Sequence, residues 1–392
     1  MTVFIYEALR TPRGKAREDG GLAALAPHEL IRQLVAGIND RCDRSAKQCE
    51  ALLLGCVGQV DTQGGHIALV AKLYVGLPDA AMALTLNNYC VSGLTAIGQA
   101  AAMIQSGGVH CALAGGVEMM SQVGFMADHA SYYTDSTFPL RTRYIPVALA
   151  ADRLANREQL DCAALDQAAL DSQLKAAAAQ HSMALQRSRI TMARVDGSSG
   201  LAYDECVRGQ TSAESLAAMP AAFGALAQGY AEALGDEYFP AVHTISHAPP
   251  ICDGAALAFL GDGSIAGVKP RAKIVAYAEA GGDPSSALLA GLAAMNKVFA
   301  QTGMNLAQMD RIEFMESFAV TLVKFLRDTP VDADRVNVSG GHMAKGHPLG
   351  ASGAILLSTL LDCLDEADGT FGLVVCTGAS GVGAAIIVER LS

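Results

Sequence analysis

Charge is what this chain has least of. Only 17% of its 392 residues are Asp, Glu, Lys or Arg, and the formal net charge is -11. No run of Lys or Arg stands out, which argues against a nucleic-acid surface. An anionic ligand would have to be held by local positive groups and helix N-termini. Long apolar runs are missing too, so no membrane-spanning helix and no membrane insertion are expected. The opening MTVFIYEALRTPRG runs straight into an apparent strand without the character of a signal or transit segment, and a cytoplasmic protein is expected. None of the ten cysteines stands in a CxxC pair, which speaks against both a disulfide framework and a paired-ligand zinc site.

What is abundant is small and apolar. Hydrophobic residues make up 51%, and there are 40 glycines, a composition for large cores, closely packed helices and tight turns. Strands are expected at Val3 to Glu7, Ala51 to Val57 and Met82 to Leu86. Helices are expected at Pro27 to Asn39, around His66 to Tyr74, and at Gly93 to Ile104. This alternation predicts a largely parallel sheet covered by helices.

The pattern then recurs. Ser92-Gly93, an apolar helix, the strand Cys111 to Ala114 and a Gly115-Gly116 turn correspond to Ser352-Gly353, the helix Ala354 to Leu364, the strand Leu373 to Cys376 and a Gly378 turn. Two copies of one α/β unit are expected, with a site where they meet. The second copy also carries expected strands at Lys273 to Tyr277, Arg311 to Phe314 and Arg335 to Val338, and helices at Ser285 to Phe299 and Phe318 to Arg327. Between the copies, about Ser121 to Val242, strand-like runs are few and an alanine-rich helix spans Ala163 to Gln180. Such an insertion suits a cap that supplies substrate contacts, or else a structural or oligomer contact.

Three glycine-lined places carry reactive side chains. Cys90 lies between an apolar strand and a small-residue helix, where backbone amides and the helix dipole are expected to lower its pKa and make it nucleophilic. The segment Asn337 to Gly353 holds five glycines and brackets His347, whose backbone Pro348 restricts. Cys376 ends a strand at Gly378. Two thiols and one imidazole suit acyl transfer, in which one thiolate attacks, the imidazole activates it and the second thiol moves a proton. A His-Cys-Cys zinc site is the rival reading, although it lacks the usual closely spaced ligand pair.

These residues resemble those of the thiolases. Asn87-x-x-Cys90-x-Ser92-Gly93 is similar to the family's nucleophile motif. The Asn337 to Gly353 segment is close to its histidine signature, and Cys376-x-Gly378 followed by Gly381 and Gly383 resembles its C-terminal cysteine loop. Arg10-Thr11-Pro12, Ala114 to Ser121, Asp204-Glu205-x-x-Arg208, Asp253 to Ala256 and Pro270-Arg271-Ala272 follow in family order. The resemblance implies an α/β fold with duplicated βαβαβαββ core domains, five layers αβαβα, and an inserted loop domain. The expected division is 1–120, 121–247 and 248–392, with the first core regaining its last strands near 243–265. It also implies a Cys90 thioester, His347 as activator, Cys376 as acid/base, and an oxyanion hole from the amides of Cys90 and Gly378. Acyl-CoA and CoA would be substrates, with no cofactor and no metal, Arg208 and Ser215 would contact the nucleotide end, and a homodimer or homotetramer is expected.

Two departures qualify the expectation. Met315 stands where the family commonly has an Asn or His that holds an oxyanion-hole water, beside Phe318 of the same block, and a thioether cannot supply that hydrogen bond. Restoring asparagine is therefore expected to speed the carbon–carbon step. Pro249 replaces a serine that normally contacts the pantetheine end. Ile145 to Leu149 stand in place of the His-Met-Gly segment of short-chain biosynthetic members, which is closer to degradative or broad-specificity members. A 3-ketoacyl-CoA thiolase is the leading reading. The alternatives are an acyltransferase with impaired thiolysis and a CoA-ester-binding protein.

Overall fold

A computed structural model describes residues 1–43, 45–235 and 237–391. The N-terminal half runs β1 (Phe4–Arg10), β2 (Gly14–Lys15), α1 (Pro27–Arg41), β3 (Ala51–Gly55), α2 (Ile67–Val75), β4 (Met82–Leu86), α3 (Ser92–Gln105) and β5 (Cys111–Met119). An insertion follows with α4 (Val147–Arg157), α5 (Cys162–Ala179) and the short α6 (Ala213–Ala217), α7 (Leu226–Gly229) and α8 (Ala231–Leu234). Then come β6 (Cys252–Gly261), β7 (Ala272–Gly281), α9 (Ala290–Thr302), β8 (Arg311–Phe314), α10 (Ala319–Asp328), α11 (His342–Lys345), α12 (Ser352–Glu366), β9 (Phe371–Thr377) and β10 (Val382–Arg390).

Local sequence explains the boundaries. Helix α1 opens on Pro27, whose missing N–H costs nothing there, and carries Glu29 in its first turn and Arg41 in its last. Helix α5 is capped by Asp161, which accepts from Ala164 N–H at 2.9 Å. β3 is buried along its whole length between the parallel neighbours β4 and β5, as its unbroken apolar run requires.

The strands pair in the order β4-β3-β5-β6-β1-β7-β10-β9-β8. Only Phe4 with Lys273 and Ile5 with Ala272 join β1 to β7, so two half-sheets meet along a narrow seam. Three apolar cores follow. One holds α1 and α2 against the outer face of the first half-sheet, and one holds α9 and α10 against the second. The third contains α3 and α12 between them, which makes five layers. The two middle helices touch through glycine: a Cβ on Gly353 would stand 2.7 Å from Leu94 Cβ, and one on Gly93 2.7 Å from Gly350 O.

Several expectations are corrected. β6 lies between β5 and β1, so residues 252–261 complete the N-terminal core and do not open the C-terminal one, as the provision for late strands allowed. Gly115 and Gly116 form no turn; β5 continues to Met119, and the glycines are there because a Cβ would lie 1.9 Å from Ala256 O and 2.3 Å from Gly350 O. The strand at Arg335 to Val338 shrinks to one bridge, Ile312 with Val336. Asn337 takes over the ladder, with Oδ1 accepting from Phe314 N–H at 2.8 Å and Nδ2 donating to Phe314 O at 2.9 Å. Helix α9 starts at Ala290, five residues late, because Asp283 and Pro284 build a separate tight turn and Leu288 has φ +76°. The insertion has no strand among the described residues, and its α5 packs on α10 and α11.

Candidate active site

Cys90 sits on the corner between β4 and α3. One hydroxyl ties that corner: Ser92 Oγ accepts from Asn88 N–H at 2.7 Å and donates to Tyr89 O at 2.6 Å. Tyr89 is held at φ +47°, a conformation uncommon outside glycine and concentrated at functional sites. Ser380, on the loop after β9, is likewise at positive φ, +54°.

His347 comes from the other half. Its N–H donates to Pro250 O at 2.8 Å, and its Nδ1 lies 2.7 Å from Ser352 Oγ at the start of α12. Nε2 is buried with no hydrogen-bond partner. Burial, with Arg13 repelling a second charge, lowers its pKa to about 3. The imidazole is therefore neutral at physiological pH, and in the tautomer that donates Nδ1–H to Ser352 Oγ the free Nε2 is a base.

Cys90 and His347 face one cavity of about 1050 Å³, whose wall also includes Glu118, Ser317, Phe318 and Ala379. Arg208, Ser215 and Pro249 line it as well, so six of the nine residues singled out in the sequence are on this wall. Cys376, Gly378 and Met315 are not. Cys376 is fully buried, and burial, reinforced by the neighbouring Cys90, pushes its thiol well above the usual range. Met315 is fully buried in the central apolar core that also contains Cys90 and Cys376.

Two chemical expectations change. The Cys90 thiol is pushed up to about 12, because burial outweighs the Ala379 N–H that favours the thiolate, and Glu118 adds repulsion. The helix start therefore does not yield a resting thiolate. The expected oxyanion pair changes as well. Gly378 lies close, since a Cβ on it would stand 3.4 Å from Cys90 Cβ, but its N–H is spent on Val382 O at 2.9 Å. The amide facing the sulfur belongs to Ala379.

Other contributors were less legible in the sequence. Glu118 joins the halves: Oε2 accepts from Val57 N–H and Gly350 N–H, each at 2.9 Å, and Oε1 from Gly58 N–H at 2.9 Å and Gln63 at 3.0 Å. Ser317 Oγ donates to Thr377 O at 2.8 Å. The His342 ring meets His347 edge-on at 4.9 Å, with both its nitrogens buried and unpartnered. A serine five residues after His347 at a helix start is a usable signal for Ser352; nothing in the sequence flags Ala379.

Comparison with known proteins agrees with this frame. Residues 3–237 match the thiolase N-terminal domain and residues 268–390 the thiolase C-terminal domain. The chain is 33% identical to the beta-ketoadipyl-CoA thiolase of Pseudomonas putida over 413 residues, covering 99% of each chain. It is 30% identical to a 3-ketoacyl-CoA thiolase of Salmonella typhimurium over 404 residues, again with 99% of each covered. The crystal structure of human mitochondrial 3-ketoacyl-CoA thiolase superposes with a TM-score of 0.87 at 25% identity, covering 100% of this chain and 99% of the other. The chain belongs to the thiolase family. It is an acyltransferase of the thiolase type.

Proposed function

We propose that the protein cleaves 3-oxoacyl-CoA with free CoA, or runs the reverse condensation, through a thioester on Cys90. The observation that carries this is the unpartnered Nε2 of neutral His347 on the same cavity wall as Cys90. With the thiol protonated at rest, attack requires transfer of its proton to His347 as the sulfur bonds to the 3-oxo carbon. In this reading the amides of Cys90 and Ala379 donate hydrogen bonds to that oxygen as its charge develops. Breakage of the bond between the α and β carbons leaves the acetyl-CoA carbanion, which takes a proton from Cys376. CoA then displaces the acyl group: its thiol proton passes to the Cys376 thiolate as its sulfur bonds to the acyl carbon, and His347 returns its proton to the Cys90 sulfur as that sulfur leaves. The reaction needs only CoA and its thioesters as substrates, and a cytoplasmic setting belongs to the same reading.

Incubation with an acyl-CoA should leave an acyl adduct on Cys90 in an intact-mass spectrum, and Cys90→Ala should abolish both adduct and turnover. An adduct that persists in Cys90→Ala overturns the assignment. The alternative of impaired thiolysis loses its main support. Ser317, two residues after Met315, lines the cavity with a hydroxyl that can receive a water's hydrogen bond.

A homodimer is part of the proposal. β4 is the outer strand of the sheet, and Met82 and Leu84 on it are exposed together with Leu69, Val70, Leu73 and Tyr74 of α2. An open apolar edge of this kind is normally covered. Sedimentation of the protein and of a Leu84→Lys variant tests it; a monomeric parent protein overturns it.

A further inference from the structure

We infer that the acyl compartment beside Cys90 selects large, uncharged acyl groups and discriminates against chains that end in a second carboxylate. This deepens the thiolase reading and rests on it.

Size comes first. Ligand cavities commonly run to ~1000 Å³ for a whole drug-sized molecule; this one, at about 1050 Å³, has room for a pantetheine arm and a bulky acyl group. Next is the wall beside the nucleophile. Tyr89, Cys90's neighbour in the chain, lines it together with Tyr133 and Tyr144. Tyr144 is the centre of a ring cluster, 4.9 Å from Tyr133, 5.9 Å from Tyr132 and 6.3 Å from Tyr230 between centroids. Rings packed this way offer apolar faces and edges to a ligand.

Charge decides the class. The tyrosine side carries one acid, Asp128, which accepts from Tyr133 OH at 3.1 Å. The lysine and arginine side chains on the described wall are Lys15, Arg17 and Arg208, all exposed and near the 204–208 loop. Lys15 N–H donates to Glu205 at 2.9 Å, Arg17 N–H to Lys15 O at 2.8 Å, and Arg208 N–H to Gln173 at 2.8 Å. That end suits the phosphates of CoA. Arg143, the nearest cation in sequence to Tyr144, is spent on Phe138 O, Ser136 O and Glu232. A second carboxylate beside the buried Tyr144 would lose its water and gain no cation, and one reaching the exposed Asp128 would meet like charge.

The test compares kcat/KM for 3-oxoadipyl-CoA with that for a phenyl-terminated 3-oxoacyl-CoA of equal length. A preference on the order of a hundredfold for the uncharged substrate is expected, and Asp128→Asn should narrow it. A preference below tenfold, or a ratio unmoved in Asp128→Asn, overturns the inference. Binding separates it from the reaction itself. Calorimetry of Cys90→Ala with the corresponding saturated acyl-CoAs should show the same preference. Absence of turnover on every substrate would sink the reading of the reaction, while equal affinity for the charged and uncharged ligands would sink this one.

Discussion

The two halves of this protein start a central helix on the same pair, Ser92-Gly93 and Ser352-Gly353, and use the two serines for different work. Ser92 binds backbone, fixing the corner that exposes Cys90. Ser352 binds a side chain, fixing the direction of the His347 ring. In the proposed reaction the duplicated frame divides into a half that presents the nucleophile and a half that supplies the proton chemistry. Around the Cys90 sulfur the hydrogen-bonding partners are backbone amides, that of Ala379 foremost. Around His347 lie Arg13 and His342, buried groups whose nitrogens are largely unspent.

The contact that holds the halves in register should be the most sensitive. Glu118→Ala leaves four donors from both halves without their acceptor, and a loss of about 3–5 kcal/mol is expected. Chemical denaturation measures it; a loss under about 1 kcal/mol would show that Glu118 merely fills space.

The two serines then test their division of labour directly. Ser352→Ala should lower kcat by about tenfold to a hundredfold with KM little changed, since a misdirected imidazole weakens general-base catalysis. Ser92→Ala should cost stability instead, about 1–2 kcal/mol for a buried hydroxyl with two hydrogen bonds. Equal effects of the two on kcat would erase the distinction.

Met315→Asn should also destabilise, by about 1–3 kcal/mol, because it places an amide in an apolar core. A faster carbon–carbon step in burst kinetics, as the family pattern alone would suggest, would contradict this placement.

The smallest effect is a pH dependence. Burial holds His342 well below its usual pKa, so the unfolded chain binds that proton first. The stabilisation is present above about pH 6.5 and is lost as the solution is acidified towards the lower folded value. His342→Phe should flatten the acid limb of the stability curve, by on the order of 1–2 kcal/mol at pH 4.5. A limb of unchanged slope in this variant would assign the titration elsewhere. The chemistry of Cys90 offers a parallel check. With its thiol near 12, iodoacetamide should label exposed Cys162 before Cys90 at neutral pH.

Much of this was legible in the chain. Apolar runs of period 2 and 3.6 located most strands and helices, because burial of one face is imposed locally. The glycine-rich motifs located Cys90, His347 and Cys376, because tight turns and close backbone approach leave few residue choices. The Gly115-Gly116 stretch misled for the same reason: glycine marks close approach as readily as a turn, and only the neighbouring backbone of Ala256 and Gly350 distinguishes them.

Sequence by itself thus determined the alternation of elements, the duplication and the glycine-lined settings of Cys90, His347 and Cys376, all of which depend on near neighbours in the chain. Tertiary structure alone decided their chemical state. The Cys90 thiol is raised and the His347 imidazole kept neutral by burial among residues as distant as Arg13 and Glu118. The choice of Ala379 over Gly378 as the amide facing the sulfur rests on one hydrogen bond to Val382, and the desolvation and donor directions behind both results exist only once the two halves have closed on each other.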